Sequence, residues 1–179
     1  EQIAYCFCGD GRNNVARSLL VAGALLGMAV RIAAPRELQP PDDVLAQARR
    51  LAAGSGAQLC VTDDVGAAVA GADVVYTDVW VSMGEPVEQW DARVPLLRPY
   101  RVTQALLAGT GRPDTKFLHC LPAVHDRGSA LGERLFAQYG LDGAEVSDEV
   151  FSSARSIVFD QAENRMHTAK AVMLAALGG

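Results

Sequence analysis

The feature that most constrains this chain is a repeated alternation of short apolar segments with helical patterns. The apolar segments are short and bounded by turn-forming residues, which is typical of buried strands; they lie at residues 3–8, 29–34, 58–62, 72–77 and 116–120. Helical patterns fill residues 15–26 and 42–53, and a shorter one ends at Gly71. Repeated β-α-β order requires parallel strands with right-handed crossovers. The sequence therefore predicts an α/β fold, a Rossmann-like open, mostly parallel sheet of about five strands with helices on both faces.

Length and composition indicate one globular domain over residues 1–179. The net charge of −5 provides no basic surface, so we expect no nucleic-acid partner. No apolar run reaches the ~18 residues of a membrane helix and no signal segment opens the chain, so we expect no membrane association. The chain opens at Glu1-Gln2 without an initiator Met, which predicts a fragment or a processed chain.

The four cysteines are too few and too scattered for a disulfide scaffold. Cys6 and Cys8 share one face of a predicted strand, but no further Cys or His completes a zinc-like spacing. We therefore expect no metal site, and we expect Cys6, Cys8 and Cys60 to be small core residues. This cysteine usage predicts a reducing, cytoplasmic location.

The order of the strands decides which turns meet. If strands two and three are added on one side of strand one and strand four is added on its other side, the order of the strands reverses between strands one and four. Ligands bind at such a switch point, beyond the carboxyl ends of the strands. This order predicts that the turn at Asn13 and Asn14, after strand one, lies opposite Asp78, after strand four.

These two strand ends carry complementary polar groups. The adjacent amides of Asn13 and Asn14 stand at a helix N-terminus, where donors converge on a carboxylate such as that of an amino acid. Asp78 offers an anion for a cationic group. The structural alternative is that all three residues cap helices and that Trp80 packs on the surface.

Two further segments point at the same edge of the sheet. Ser82-Met83-Gly84 forms a glycine-containing loop after Asp78, and the fifth strand ends in His119-Cys120-Leu121-Pro122. A lone His or Cys in such a place is usually structural. Three strand ends with polar residues nevertheless predict, in combination, a small-molecule site.

The first turn also has to be compared with a dinucleotide fingerprint. Gly9-x-Gly11 begins such a motif, but Asn14 occupies the position of the third glycine. Residues 33–35 at the end of strand two are Ala-Ala-Pro, where the motif needs an acid to hold a ribose. We therefore expect no nucleotide and no organic cofactor.

Three motifs of this chain resemble the signatures of the ornithine carbamoyltransferases. They are DVWVSMG at residues 78–84, HCLP at residues 119–122 and FDQAENRMHT at residues 159–168. The similarity runs in order from the Gly9-Asp10 turn to the last helix, and it matches only the C-terminal, ornithine-binding half of the family. The carbamoyl-phosphate domain, with its Ser-Thr-Arg-Thr-Arg motif, is not among these residues, so we expect the isolated chain to be inactive.

The resemblance implies roles for the matching residues. Asn14, together with Asn13, would hold ornithine with Asp78, Ser82 and Met83. Asp78 would also act in catalysis, by orienting the attacking amine and taking up charge.

For carbamoyl phosphate the resemblance implies Cys120 and Leu121, with His119 beside them, and Arg165 near the carbonyl oxygen. Cys120 and Arg165 would be catalytic as well, the first as a polar positioning group and the second by stabilising negative charge on that oxygen. It also implies a cis Leu121-Pro122 bond.

The implied reaction is transfer of the carbamoyl group from carbamoyl phosphate to the side-chain amine of L-ornithine, which gives L-citrulline and phosphate in arginine metabolism. Aspartate carbamoyltransferase shares the fold, but its dicarboxylate substrate requires a basic group where this chain has Asp78. A putrescine or other amine carbamoyltransferase and a non-catalytic amino-acid-binding paralogue remain as alternatives.

The resemblance also implies partners beyond the substrates. A final helix at about residues 161–177, which Asp160 and Glu163 would start as a capping box, would pack on the absent N-terminal carbamoyl-phosphate domain. The full-length enzyme would form a homo-oligomer, which is trimer-based in the family.

Overall fold

The computed structural model of the chain describes residues 2–82 and 84–178. Within them five strands form one sheet: β1 (Ala4–Cys8), β2 (Ala29–Ala33), β3 (Gln58–Thr62), β4 (Val74–Thr77) and β5 (Lys116–His119). Their spatial order is β3-β2-β1-β4-β5, and every neighbouring pair is parallel. The predicted α/β fold and the switch point between the first and fourth strands are confirmed.

Eight α-helices connect and flank these strands in the described part of the chain. They are α1 (Asn14–Leu25), α2 (Asp42–Ser55), α3 (Val65–Val69), α4 (Gln89–Leu97), α5 (Gln104–Ala108), α6 (Ala130–Tyr139), α7 (Asp148–Phe151) and α8 (Val158–Ala176). Short 3-10 turns at Arg36–Leu38 and Arg98–Tyr100 complete the connections.

The two faces of the sheet have separate apolar cores. Along β1 successive side chains alternate between the faces, so Phe7 packs with α1 and α2 on one face while Cys6 and Cys8 pack with α3 and α5 on the other. All five residues of β1 are buried. Burial on both faces explains why this central strand is uniformly apolar.

A third apolar cluster lies beyond the carboxyl ends of the strands. Trp80 is 1% exposed and packs there with Trp90 and with residues of α4 and α6. The alternative in which Trp80 packs on the surface is therefore wrong. Its burial anchors the chain just after Asp78, because a large aromatic side chain contributes much apolar area to such a cluster.

Two other expectations from the sequence are wrong in detail. Cys60 is exposed because β3 is an edge strand of the sheet, whereas Cys6 and Cys8 are buried as expected. The last helix begins at Val158, so Asp160 lies in its first turn and does not form the start of a capping box.

Helix α8 projects away from the rest of the chain. Val158 is its one buried residue in the described structure, while several large apolar side chains along it are exposed: Phe159, Met166, Val172, Met173, Leu174 and Leu177. Despite this apolar surface, none of the described helices combines the length and hydrophobicity required to cross a membrane.

Glycine at position 23 is required by the close approach of α1 to the sheet. A Cβ there would overlap the hydroxyl group of Tyr5 and a methyl group of Val30. Gly23→Ala should therefore lower the free energy of unfolding by about 1–3 kcal/mol, measured by urea denaturation. The matched control is Gly54→Ala in α2, where a Cβ meets nothing within 4 Å and the change should be neutral or stabilising. Equal stability of the two variants would contradict this packing.

Candidate active site

The turn after β1 faces the end of β4 through Asn13. Its Oδ1 atom accepts a hydrogen bond from the backbone N–H of Ala16 at 2.7 Å and caps α1, while its Nδ2 atom donates to Oδ2 of Asp78 at 3.1 Å. Asn13 is therefore both a helix cap and a partner of Asp78. Asn14 is the exposed first residue of α1 and stands beside it. The predicted juxtaposition of this turn with Asp78 is confirmed.

Asp78 is a nearly buried carboxylate at the switch point, with 9% of its surface exposed. Besides Asn13, the backbone N–H of Val79 donates to its Oδ1 atom at 2.8 Å, so Asp78 does not cap a helix. Burial raises the pKa of Asp78 above its ordinary value, although the Val79 N–H and His119 oppose this shift. A bound cation would stabilise the ionised form. Asp78 is thus suited to pair with an ammonium group from which water has been excluded.

The end of β5 lies next to the end of β4. The backbone N–H of Cys120 donates to the carbonyl oxygen of Thr77 at 3.3 Å. The Leu121-Pro122 peptide bond is cis, as the sequence resemblance implied. Cys120 and Leu121 are both partly exposed at this edge, which leaves them accessible to a ligand.

His119 has a different position from its neighbour. Its side chain is fully buried, and its ring nitrogens face the carbonyl oxygen of Cys120 at 2.7 Å and Oε1 of Glu145 at 3.0 Å. Since a carbonyl oxygen only accepts, Nδ1 carries a proton, and this N–H donates a hydrogen bond to the carbonyl oxygen of Cys120. The expectation that the His119 side chain points into the crevice is therefore wrong. The ring supports the backbone of Cys120 from behind.

Glu145 completes this buried support. Its Oε1 atom accepts a hydrogen bond from the backbone N–H of Val124 at 2.6 Å in addition to its contact with His119. The bond between Nε2 of His119 and Oε1 of Glu145 requires one further proton on one of these atoms. Removal of either partner would leave a buried polar group unpaired, which costs about 1–3 kcal/mol.

The first turns of α8 reach the same strand ends. Gln161 donates from Nε2 to the hydroxyl of Tyr76 at 2.6 Å, and its Oε1 atom accepts from the backbone N–H of His119 at 3.2 Å. This contact fixes the start of the helix against β4 and β5. One turn later, the exposed Arg165 is close enough to influence the ionisation of Cys120.

The thiol of Cys120 lies between opposite charges. Burial raises the pKa of Cys120, the negative charge of Asp78 raises it further, and the positive charge of Arg165 lowers it. Three predicted site residues, Asp78, Cys120 and Arg165, are thereby brought into one electrostatic neighbourhood. A thiol with a raised pKa is a poor nucleophile at neutral pH, which fits a polar, non-covalent role.

The loop after Asp78 is held by charged residues. Glu85 accepts a hydrogen bond from the backbone N–H of Ser82 at 2.7 Å, and Arg93 on α4 pairs with both Glu85 and Asp10. Ser82 is exposed beside the strand ends. The predicted contact at Met83 lies outside the described residues.

Four residues around the site were not identified from the sequence. Gln161 stands inside a motif that was recognised, and Asp10 stands between two glycines at a strand end, which is itself a signal of a functional turn. Glu145 and Arg93 come from segments with no local motif. Only the tertiary contacts with His119 and Asp10 show their importance.

One group in the described residues has the composition of a metal site. His125, Asp126 and Asp148 offer ligand atoms that all lie within 4.8 Å of one another. However, Nδ1 of His125 is already bonded to Oδ1 of Asp148 at 2.8 Å, and the ring stacks on Phe151. These contacts account for the cluster through hydrogen bonding and packing.

Comparison with known proteins identifies the kind of domain that carries this site. Residues 1–176 match the family model described as "Aspartate/ornithine carbamoyltransferase, Asp/Orn binding domain". A catabolic ornithine carbamoyltransferase of Rhizobium meliloti is 52% identical over 179 residues, covering 99% of this chain and 54% of that protein. The corresponding protein of Burkholderia mallei is 53% identical over 181 residues, covering 100% of this chain and 54% of its own length.

Solved structures agree with these relatives. The ornithine carbamoyltransferase of Pyrococcus furiosus matches with a TM-score of 0.84 and 40% identity, over 100% of this chain and 51% of that one. The enzyme of Giardia lamblia matches with a TM-score of 0.77 and 31% identity, over 96% and 49%. The chain thus spans about half the length of the curated relatives it matches.

The opposed charges around Cys120 lead to a prediction of opposite sign for two substitutions. Asp78→Asn removes a negative charge and should lower the pKa of Cys120, whereas Arg165→Ala removes a positive charge and should raise it. The pKa is measured from the pH dependence of Cys120 alkylation, followed by mass spectrometry of its peptide. Exposed Cys60, which neither change contacts, is the internal control. Shifts of the same sign in both variants would contradict the arrangement.

Proposed function

Because the chain belongs to the aspartate/ornithine carbamoyltransferase family, as its Asp/Orn-binding domain, we propose that the whole protein is an ornithine carbamoyltransferase. It would transfer the carbamoyl group of carbamoyl phosphate to the side-chain amine of L-ornithine and release L-citrulline and phosphate. The two curated relatives carry the name "catabolic", which supports a place in arginine metabolism.

The observation that supports ornithine as the substrate is the negative charge of Asp78 at the switch point. Asp78 is buried and paired with the neutral amide of Asn13, so it attracts an ammonium group and repels a carboxylate. The nearby cation, Arg93, is already paired with Asp10 and Glu85. A dicarboxylate such as aspartate would meet the negative charge of Asp78, whereas the side-chain ammonium of ornithine finds a desolvated carboxylate.

Different residues of this chain would bind the two ends of ornithine. Asp78 would hold the side-chain nitrogen, and Asn14 and the Ser82-Met83 loop would hold the amino-acid end. An unperturbed amine has a pKa of ~10, so the nitrogen must lose a proton before it attacks. Burial raises the pKa of Asp78 and makes its carboxylate a better proton acceptor.

The same edge would serve carbamoyl phosphate. The amine nitrogen forms a bond to the carbamoyl carbon, and the bond from that carbon to the phosphate oxygen breaks, so the electron pair leaves with phosphate. Cys120 and Leu121 would contact the carbamoyl group, and Arg165 would stabilise negative charge on its oxygen. His119 would contribute through the backbone of Cys120, to which its ring donates.

We also propose that α8 binds the N-terminal carbamoyl-phosphate domain of the same protein. The apolar side chains of α8 are exposed over most of its 19 residues, and an apolar surface of this extent marks an interaction site. Gln161 and Arg165 at its start would then bring the second domain to the strand ends. All four cysteines are free, which fits the cytoplasmic location we propose. The homo-oligomer of the whole enzyme stays a prediction.

Activity of the full-length protein tests the proposed function. With carbamoyl phosphate, L-ornithine should yield citrulline, while aspartate should yield no product because Asp78 repels its side-chain carboxylate. Putrescine is the third substrate to compare, since it keeps the amine but lacks the α-carboxylate. The chain over residues 1–179 should bind ornithine in calorimetry without forming citrulline. A preference for aspartate or putrescine in the full-length protein would refute the assignment.

A single substitution tests the role of Asp78. Asp78→Asn removes the charge that holds the amine, so turnover of the full-length enzyme should fall by about 10²–10⁴-fold. Circular dichroism should show an intact fold, because the amide keeps the size of the side chain. Asp43→Asn on the exposed surface of α2 is the control and should have normal kinetics. Near-normal turnover of Asp78→Asn would assign this residue a structural role only.

A further inference from the structure

We propose that Arg93 is a positioning residue for the amino-acid substrate. It joins Asp10, in the turn after β1, to Glu85, in the loop after β4. We call this network of two ion pairs, formed by Asp10, Arg93 and Glu85, the clamp. This inference rests on the proposed function and extends it, since it concerns what holds the two sides of the ornithine site together.

On one side, the clamp begins in the turn that presents Asn13. The Oδ1 atom of Asp10 accepts a hydrogen bond from the backbone N–H of Arg12 at 2.9 Å, and its carbonyl oxygen accepts from the N–H of Asn13 at 3.2 Å. Asp10 is 8% exposed. Asp10 therefore shapes the turn from which Asn13 reaches Asp78, and its other carboxylate oxygen is bonded to Arg93.

On the other side, the clamp ends in the loop that presents Ser82. Glu85 and Ser82 make two reciprocal bonds, from the Ser82 N–H to Oε2 of Glu85 at 2.7 Å and from the Glu85 N–H to the Ser82 carbonyl at 3.0 Å. The remaining oxygen of Glu85 lies 3.4 Å from Nη2 of Arg93. The orientation of Ser82 is thereby tied to Arg93 through one side chain.

Arg93 is suited to this task by its geometry and its burial. Its Nη1 atom contacts Asp10 and its Nη2 atom contacts Glu85, so the two branches of one guanidinium hold two different loops. Its side chain is 11% exposed, against 45% for Arg127 in the surface pair with Glu133. Water and salt screen the clamp less than such a surface pair. Lysine, with a single ammonium group, lacks the fork that spans both carboxylates.

The clamp should affect the binding of ornithine more than the binding of carbamoyl phosphate. Ornithine would contact the turn of Asn14 and the loop of Ser82, so it needs the two held at a fixed separation. Carbamoyl phosphate would contact Cys120, Leu121 and Arg165, which lie at the end of β5 and on α8, outside the clamp. Loss of Arg93 should therefore weaken ornithine binding selectively.

Kinetics of the full-length enzyme test this selectivity. Arg93→Gln and Arg93→Lys should both raise the KM for ornithine by about 10–100-fold, because displaced binding groups cost this much, and should leave the KM for carbamoyl phosphate unchanged. The matched control is Arg127→Gln, which breaks an exposed ion pair with Glu133 and should change neither value. Glu85→Gln should raise the ornithine KM as well, and its effect should not add to that of Arg93→Gln, since both break one network. Equal increases for both substrates, or full rescue by lysine, would overturn the proposal.

A second readout does not depend on turnover. Amide hydrogen exchange of peptides that cover residues 79–88 should be faster in Arg93→Gln than in the wild type, while peptides of α2 should be unchanged. Unchanged exchange at residues 79–88 would overturn the clamp, and so would faster exchange with a normal ornithine KM. If the wild-type enzyme forms no citrulline but exchange responds as expected, the clamp stands and the proposed function has failed.

Discussion

The site depends on one hydrogen bond between the ends of the two central strands, from the amide of Asn13 to the carboxylate of Asp78. The strands β1 and β4 run parallel and side by side, so the turn after one must meet the turn after the other. This bond gives a nearly buried carboxylate a neutral partner in place of a cation. Its negative charge is not neutralised by this partner, which supports the proposal that the switch point binds an ammonium group.

Support for this edge comes from buried and partly buried polar groups that bond to the protein itself. His119 and Glu145 are fully buried and hold the backbone at Cys120, and Gln161 fixes the start of α8 to Tyr76 and to the backbone of His119. Oε1 of Glu145 and both ring nitrogens of His119 have specific partners, and these bonds restrict the movement of the backbone here. This edge of the sheet is therefore formed by residues with little freedom, while α8 extends beyond it as an exposed helix with many apolar side chains.

The two arginines near the site have different environments, and only one of them is exposed to a ligand. Arg93 is neutralised by Asp10 and Glu85, so it joins two loops without presenting a cation to the substrate. Arg165 has the opposite environment, because it is exposed on α8 and influences Cys120 across the crevice. One arginine thus stabilises the protein while the other is left for an anionic or polarised group. Position in the fold, and not residue type, makes this distinction.

The sheet, its switch point and the residues at three strand ends could be predicted from the sequence alone, because strand and helix periodicity and short motifs are local properties. The sequence could not assign Trp80 and Cys60 to the interior or the surface, since burial depends on which strand lies at the edge and which helices cover the loop. It likewise could not separate the buried His119 from the partly exposed Cys120 beside it. The partners that decide their roles, Glu145 and Arg93, come from distant segments. Only the tertiary structure brings them together, because a buried charge must find its partner in space and not along the chain.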